Sequence, residues 1–197
     1  HGDVRIIGNQ SPRYRYGVNL SARWNGIGLS VFLQGVGARD WYPGSDAGMF
    51  WGKYGRPFFA LIPSIHNYTD DMYSAERNNW DTAYWPRMTT YQSNGTKNWT
   101  RLLEIPNTRY IQSAAYLRVK NIQLDYSFPK HICSAIRLQG LKIYVNAENL
   151  FTFTPLHKYA PNFDPEGLSY DSDFASAADG YTYPILKSVT VGVNITF

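Results

Sequence analysis

Beyond His1, the histidines are isolated: His66, His131 and His157 have no second ligand at metal spacing. Cys133 is the single cysteine, which leaves no internal disulfide and no thiolate pair for zinc. Asp164 and Glu166 invite comparison with a glycosidase carboxylate pair. Side by side in an extended loop, however, they form a turn more readily than an acid and a nucleophile on two sides of a sugar. The serine elbow of hydrolases and the helical zinc-protease motif are both missing. The expectation is therefore no catalytic residue, no metal and no cofactor.

What the chain offers instead is flat aromatic surface. Trp41, Trp51, Trp80, Trp85 and Trp99, with seven tyrosines, crowd the stretch 41–114. Such rings stack on the apolar C–H faces of sugars while a polar rim supplies hydrogen bonds. For any single ring the commoner case is the small core of a loop or a patch against a neighbouring protein. Both readings stand for each ring, and the loop as a whole is expected to border a substrate or partner surface.

These residues need a scaffold, and its pattern is regular. Five segments alternate apolar and polar side chains, near 13–25, 28–40, 115–128, 139–152 and 184–197, so each is a strand with one greasy face. Asn25-Gly26 between the first two signals a tight hairpin. In the third, Leu117 and Val119 lie on one parity and Ile122, Leu124, Tyr126 and Phe128 on the other. Either a β-bulge near Lys120 or Asn121 restores one face, or the upper end of the strand leaves the apolar layer and packs inward. No segment shows a helical period.

The connections alternate in length. Strands one and two, and three and four, are joined by short turns, whereas roughly 75 and roughly 30 residues (41–114 and 153–183) separate the other pairs; loops beyond about 15 residues usually have a function. All long connections thus fall at one end of the sheet, as extracellular loops do in an outer-membrane barrel. Aromatics collect at both ends, with Trp24, Tyr126, Phe128 and Phe197 by the short turns and Tyr14, Tyr16, Trp41, Phe151, Phe153 and Tyr183 by the long loops. Two such girdles suit a strand crossing an apolar band of about 25 Å. Only 17% of residues are charged and 16% are aromatic, against a soluble norm of about a quarter charged. The net charge of +4 is modest and no Lys/Arg cluster points to nucleic acid, so no nucleic-acid partner is expected. The opening HGDVRIIGNQ lacks the features of a signal peptide, so an exported protein would carry one upstream. Two soluble classes compete with a membrane barrel: an extracellular carbohydrate-binding β-sandwich and a secreted glycosidase.

The stretches PRYRYGVNLSARWNGIGLSVFLQGVG, YLRVKNIQLDYSFPK, LKIYVNAENLFTFT, FDPE and VGVNITF, with AYWPR in the long loop, occur in one order and spacing. In these the chain resembles the C-terminal part of a SusC-like TonB-dependent transporter. The resemblance implies an all-β fold: five strands of a 22-stranded antiparallel transmembrane barrel in the bacterial outer membrane, surrounded by lipid. It implies a plug domain and a TonB-contacting segment outside this chain, with the remaining barrel and plug upstream or on a separate chain. A SusD-like lipoprotein would lid the extracellular side, and the cargo would be a glycan or a peptide. Val193, Ile195 and Phe197 would form a C-terminal assembly signal, and Arg15, Asn19, Asn146, Glu148 and Asn194 would face the lumen, along with Arg23, Gln34, Asp125, Lys142 and Lys187. The acidic loop that often precedes the first of these strands is represented by Gly2-Asp3 alone, so no metal is implied.

Overall fold

The computed structural model describes residues 5–42, 73–85, 107–160, 163–168 and 185–197. Five antiparallel strands form one sheet in the order β1 (Arg13–Trp24), β2 (Ile27–Ala38), β5 (Tyr116–Ser127), β6 (Gly140–Phe153) and β7 (Ser188–Thr196). A second, two-stranded ladder pairs β3 (Asp40–Trp41) with β4 (Gln112–Ser113). The expected all-β antiparallel class is borne out. Three elements went unforeseen: the β3–β4 ladder, a 3-10 turn at Pro155–Lys158, and a helix α1 (Lys130–Ala135) inside the connection between β5 and β6. Its six residues are too few to show a 3.6-residue period.

Local chemistry explains each turn. Asn25 and Gly26 have φ values of 46° and 87°, the pair of positive angles that a two-residue hairpin of the right twist demands. α1 starts after Pro129 and ends in a Schellman motif: the Leu138 amide donates to the Cys133 carbonyl at 2.9 Å and the Arg137 amide to Ser134 at 3.1 Å. Arg137 takes the left-handed position there at φ 60°, a conformation that costs a non-glycine residue about 1 kcal/mol.

The fault in the third alternating segment resolves as a bulge. Phe32 pairs with Asn121 and Leu33 with Val119, so the register steps over Lys120; against β6 it steps over Lys120 on one side and Asn149–Leu150 on the other. Leu117 and Val119 thereby join Ile122, Leu124 and Tyr126 on one face. Rows then run straight across the sheet. Leu29, Leu124, Val145 and Val191 are in register on the apolar face, and Ser30, Gln123, Asn146 and Thr190 on the polar one.

The apolar face is bare. Val18, Leu20, Leu29, Leu124, Ile143, Val145, Val191 and Val193 are 42–72% exposed, with Val31 half-buried beside them. Exposing aliphatic side chains to water forgoes about 1.5–3 kcal/mol each at full burial, so eight half-exposed ones amount to on the order of 10 kcal/mol. That equals the whole stability of an ordinary domain. A sandwich would bury these residues against a second sheet, and they are not buried. The medium that suits them is hydrocarbon.

The chain divides into two compact units: the sheet, with residues 14–37, 116–153 and 185–197, and a loop unit of residues 1–13, 38–115 and 154–184. Across the polar face of the sheet, large side chains lie over glycines. Gly28, Asp125, Tyr144 and Gly192 form one row. A Cβ on Gly28 would stand 2.7 Å from an Asp125 carboxylate oxygen, and one on Gly192 would collide with the Tyr144 ring. We expect Gly192→Val to lower the thermal unfolding midpoint of the intact protein in detergent, by the equivalent of about 1–3 kcal/mol of overpacking. Tyr144→Ser in the same protein should restore most of the loss.

Candidate functional site

Two sets of side chains are built rather than merely exposed. On the polar face of the sheet, Asp125 is 6% exposed. Its Oδ2 meets Arg23 Nη2 at 3.2 Å and Lys142 Nζ at 3.3 Å. The Arg23 side chain is mostly in the open, so that pair contributes no more than about 1 kcal/mol. The carboxylate itself is the protected member, held between two cations above Gly28. Further along this face, Ser188 Oγ donates to Glu148 Oε2 at 3.1 Å and Arg118 Nε to Thr152 Oγ1 at 2.9 Å. Asn146 Oδ1 is buried without a hydrogen-bond partner. Asn194 sits opposite Lys142 in the β6–β7 ladder, and Arg15 and Asn19 share the parity of Arg23 on β1. The polar residues singled out from the sequence on β1, β5, β6 and β7 thus occupy one side of the sheet, and Gln34 joins them opposite Arg118. Lys187 stands just before β7.

On the apolar side, Val193 pairs with Ile143 and Ile195 with Leu141; Phe197 is 82% exposed past the last pair. Tyr126 and Phe128 meet edge to face at 5.0 Å. Tyr16 donates its hydroxyl to the Tyr116 carbonyl at 3.2 Å.

The loop unit has its own core: Trp41, Trp85, Ala114, Leu156, Ala160, Phe163 and Leu168, with Tyr84, Tyr110 and Tyr159 packed against it. Tyr84 stacks on Tyr159 at 3.7 Å between centroids, and Trp41 leans on Phe163 at 5.1 Å. At two positions this decides between the readings the sequence left open. Trp41 and Trp85 are 2% and 1% exposed, so neither presents a ring to a substrate, and Trp41 belongs to this core rather than to a membrane girdle. The physical reason is size: burying a ring removes more apolar area from water than any other side chain can. Trp80, on the turn at 75–82, is 73% exposed. Trp51, Trp99, Tyr183 and His66 lie outside the described residues.

Arg39 ties this unit together, and nothing in its sequence context marked it beyond its place at the end of an alternating run. Buried to 5% exposure, its guanidinium donates to the carbonyls of Gln10 at 3.2 Å, Pro165 at 3.1 Å and Leu168 at 2.6 Å. Next to it, Asp40 Oδ2 accepts the Asn9 amide at 2.8 Å. Asp164 and Glu166 make the expected turn. Asp164 Oδ1 accepts the Glu166 amide at 2.9 Å, and its carbonyl accepts Gly167 at 3.1 Å. His157 Nε2 lies 3.2 Å from the Phe163 carbonyl. Among the described residues no three His, Cys, Asp or Glu side chains converge as metal ligands.

The Tyr42 phenol is 5% exposed and accepts a hydrogen bond from Asn107 Nδ2 at 2.9 Å. Burial, helped by the Tyr110 phenol and opposed by Asn107, pushes its pKa up to about 12. Burial also raises Tyr84.

No family model matches the chain. Among curated proteins it is similar to TonB-dependent receptor P3 of Formosa agariphila, 25% identical over 99% of this chain and 17% of that protein. TonB-dependent receptor P26 of the same organism is 22% identical over 99% of this chain and 18% of its own length. Among solved structures, the RagAB peptide transporter aligns with a TM-score of 0.62 and 19% identity, and the RagAB peptide importer in its open-open state with 0.60 and 20%. Each alignment covers 98% of this chain and 18% of the other. The chain therefore spans about a sixth of the length of the relatives it matches. The resemblance to TonB-dependent transporters, the β-barrel fold and the outer-membrane location are borne out.

Two outcomes follow for the loop unit. Arg39→Met leaves three carbonyls without their donor at about 1–3 kcal/mol per unsatisfied group. Limited proteolysis of the intact protein should then cut within 163–168 markedly faster, with Arg39→Lys intermediate. Tyr42 is neutral in the fold above its ordinary pKa of 10.0, so its contribution is complete below pH 10 and is lost as the pH climbs towards 12. Following phenolate absorbance, Tyr42→Phe should delete a tyrosine that ionises well above pH 10 and weaken the alkaline sensitivity of the loop unit.

Proposed function

With an outer-membrane barrel as the setting, we propose that this chain is a stretch of barrel wall and extracellular loop in a TonB-dependent importer of a glycan or peptide nutrient. The observation that carries the reading is the two-sidedness of the sheet. One face offers eight exposed aliphatic side chains to lipid, and the other carries Arg23, Asp125, Lys142, Asn146 and Glu148 towards an aqueous lumen. No bond of the cargo is broken by any group of this chain. The polar face lines the transport path or holds the plug, and the loop unit faces a SusD-like lipoprotein and the cargo beneath it. Energy for uptake comes from the TonB complex acting on a plug outside this chain. A soluble carbohydrate-binding module is disfavoured by the uncovered aliphatic face.

The test uses the intact transporter in cells. Single cysteines at Leu124, Val145 and Val191 should resist a membrane-impermeant maleimide, while those at Gln123, Asn146 and Thr190 react once the lumen is open to solvent. Uptake of labelled peptides and oligosaccharides should fall to background when TonB is absent, and the panel member that is lost identifies the cargo. Rapid labelling at Val191 and Val145, or uptake indifferent to TonB, would sink the proposal.

A further inference from the structure

We propose that α1 is a membrane-surface contact. Ile132 on the helix and Ile136 at its C-cap enter the apolar margin of the leaflet at the short-turn end, and Lys130 and Arg137 hold the phosphates of anionic phospholipid headgroups. The inference rests on the barrel reading above.

Ile132 and Ile136 are four residues apart and so share a helical face. They are 40% and 54% exposed, whereas Cys133 is the buried side chain of this helix. Packing within the sheet unit does not account for two isoleucines on so short an element. Around them the segment from Phe128 to Leu141 carries Lys130, His131 and Arg137 and no carboxylate. Neither Lys130 nor Arg137 makes an ion pair among the described residues.

The backbone supplies a second, independent observation. Arg137 occupies the left-handed position that closes the helix, at φ 60°. Glycine fills that position at the least cost. A cation kept there against the conformational preference points to work for its side chain.

An apolar ridge flanked by cations is the pattern of an interfacial helix lying on an anionic leaflet, with long basic side chains reaching up to the headgroups. The position fits. α1 begins two residues after Phe128, whose amide donates to the Leu141 carbonyl at 2.9 Å. Tyr126, Phe128 and Ile143 belong to the apolar face at this end of the sheet, where aromatic side chains mark a membrane boundary.

The experiment uses the intact protein carrying Cys133→Ala, reconstituted into vesicles of phosphatidylglycerol and phosphatidylcholine with a quencher on a fraction of the lipids. An environment-sensitive fluorophore is attached in turn at Ile136→Cys, at Ser134→Cys on the far side of the helix, and at Val191→Cys on the strand face. Quenching at 136 should exceed that at 134 by about threefold, and should drop about twofold in phosphatidylcholine alone or with Lys130→Gln and Arg137→Gln together. Strong quenching at 191 with equal, weak quenching at 136 and 134 overturns the proposal and leaves the barrel standing, as does indifference to lipid charge. Absence of quenching at 191 as well overturns the barrel reading on which the proposal depends.

Discussion

Main-chain hydrogen bonding is the constraint from which the rest of the sheet follows. Where one face of a strand meets hydrocarbon, no water is available to satisfy an amide or carbonyl, and each one left open costs several kcal/mol. The β2–β5–β6–β7 ladders accordingly run without a break apart from the single step at Lys120. That step occurs where alternation slips by one residue, and a bulge is the cheapest way to return Leu117 and Val119 to the apolar face. β1 and β7 form the two edges of this sheet, and neither carries proline in its interior. Their open rows of polar groups are suited to further strand pairing.

The two faces solve packing differently because their side chains differ. On the apolar face, branched aliphatic side chains stand out from the sheet with no protein layer over them. On the polar face the sheet must stay thin, and the side chains lie down across it: Tyr144 over Gly192, Asp125 over Gly28. Folding a carboxylate down onto backbone would be costly if it were unpaired. Arg23 and Lys142 on the neighbouring strands prevent that, and their remaining exposure leaves the cluster a net positive charge towards solvent.

The loop unit is held by a different balance. Its aromatic rings supply enough apolar area for a small core, and the irregular backbone around them leaves carbonyls that no ladder can satisfy. A buried guanidinium with several fixed donors meets that need better than any other side chain. Arg39 bonds three carbonyls from two distant stretches of chain, which fixes the turn at 163–168 as part of the unit. Trp80 stays outside this core, with its ring in the open.

The sequence alone determined the strands, their faces and the hairpin at Asn25-Gly26, because alternation and positive-φ turn residues are local properties with a period short enough to read. It also determined that the Asp164 and Glu166 carboxylates make a turn. What it left open between two readings, the slip near Lys120, required the partner strands, since a bulge is defined only by what lies opposite. The division of the tryptophans was not legible either. Trp41, Trp80 and Trp85 are chemically identical, and whether a ring is core or surface depends on contacts made across more than 70 residues of chain, as between Trp41 and Phe163. Arg39 and α1 were missed for related reasons. A charged residue at the end of a strand normally points to water, and only the folded loop brings three carbonyls to it. A six-residue helix shows less than two turns of period, so its cap geometry at Arg137 became visible only in three dimensions.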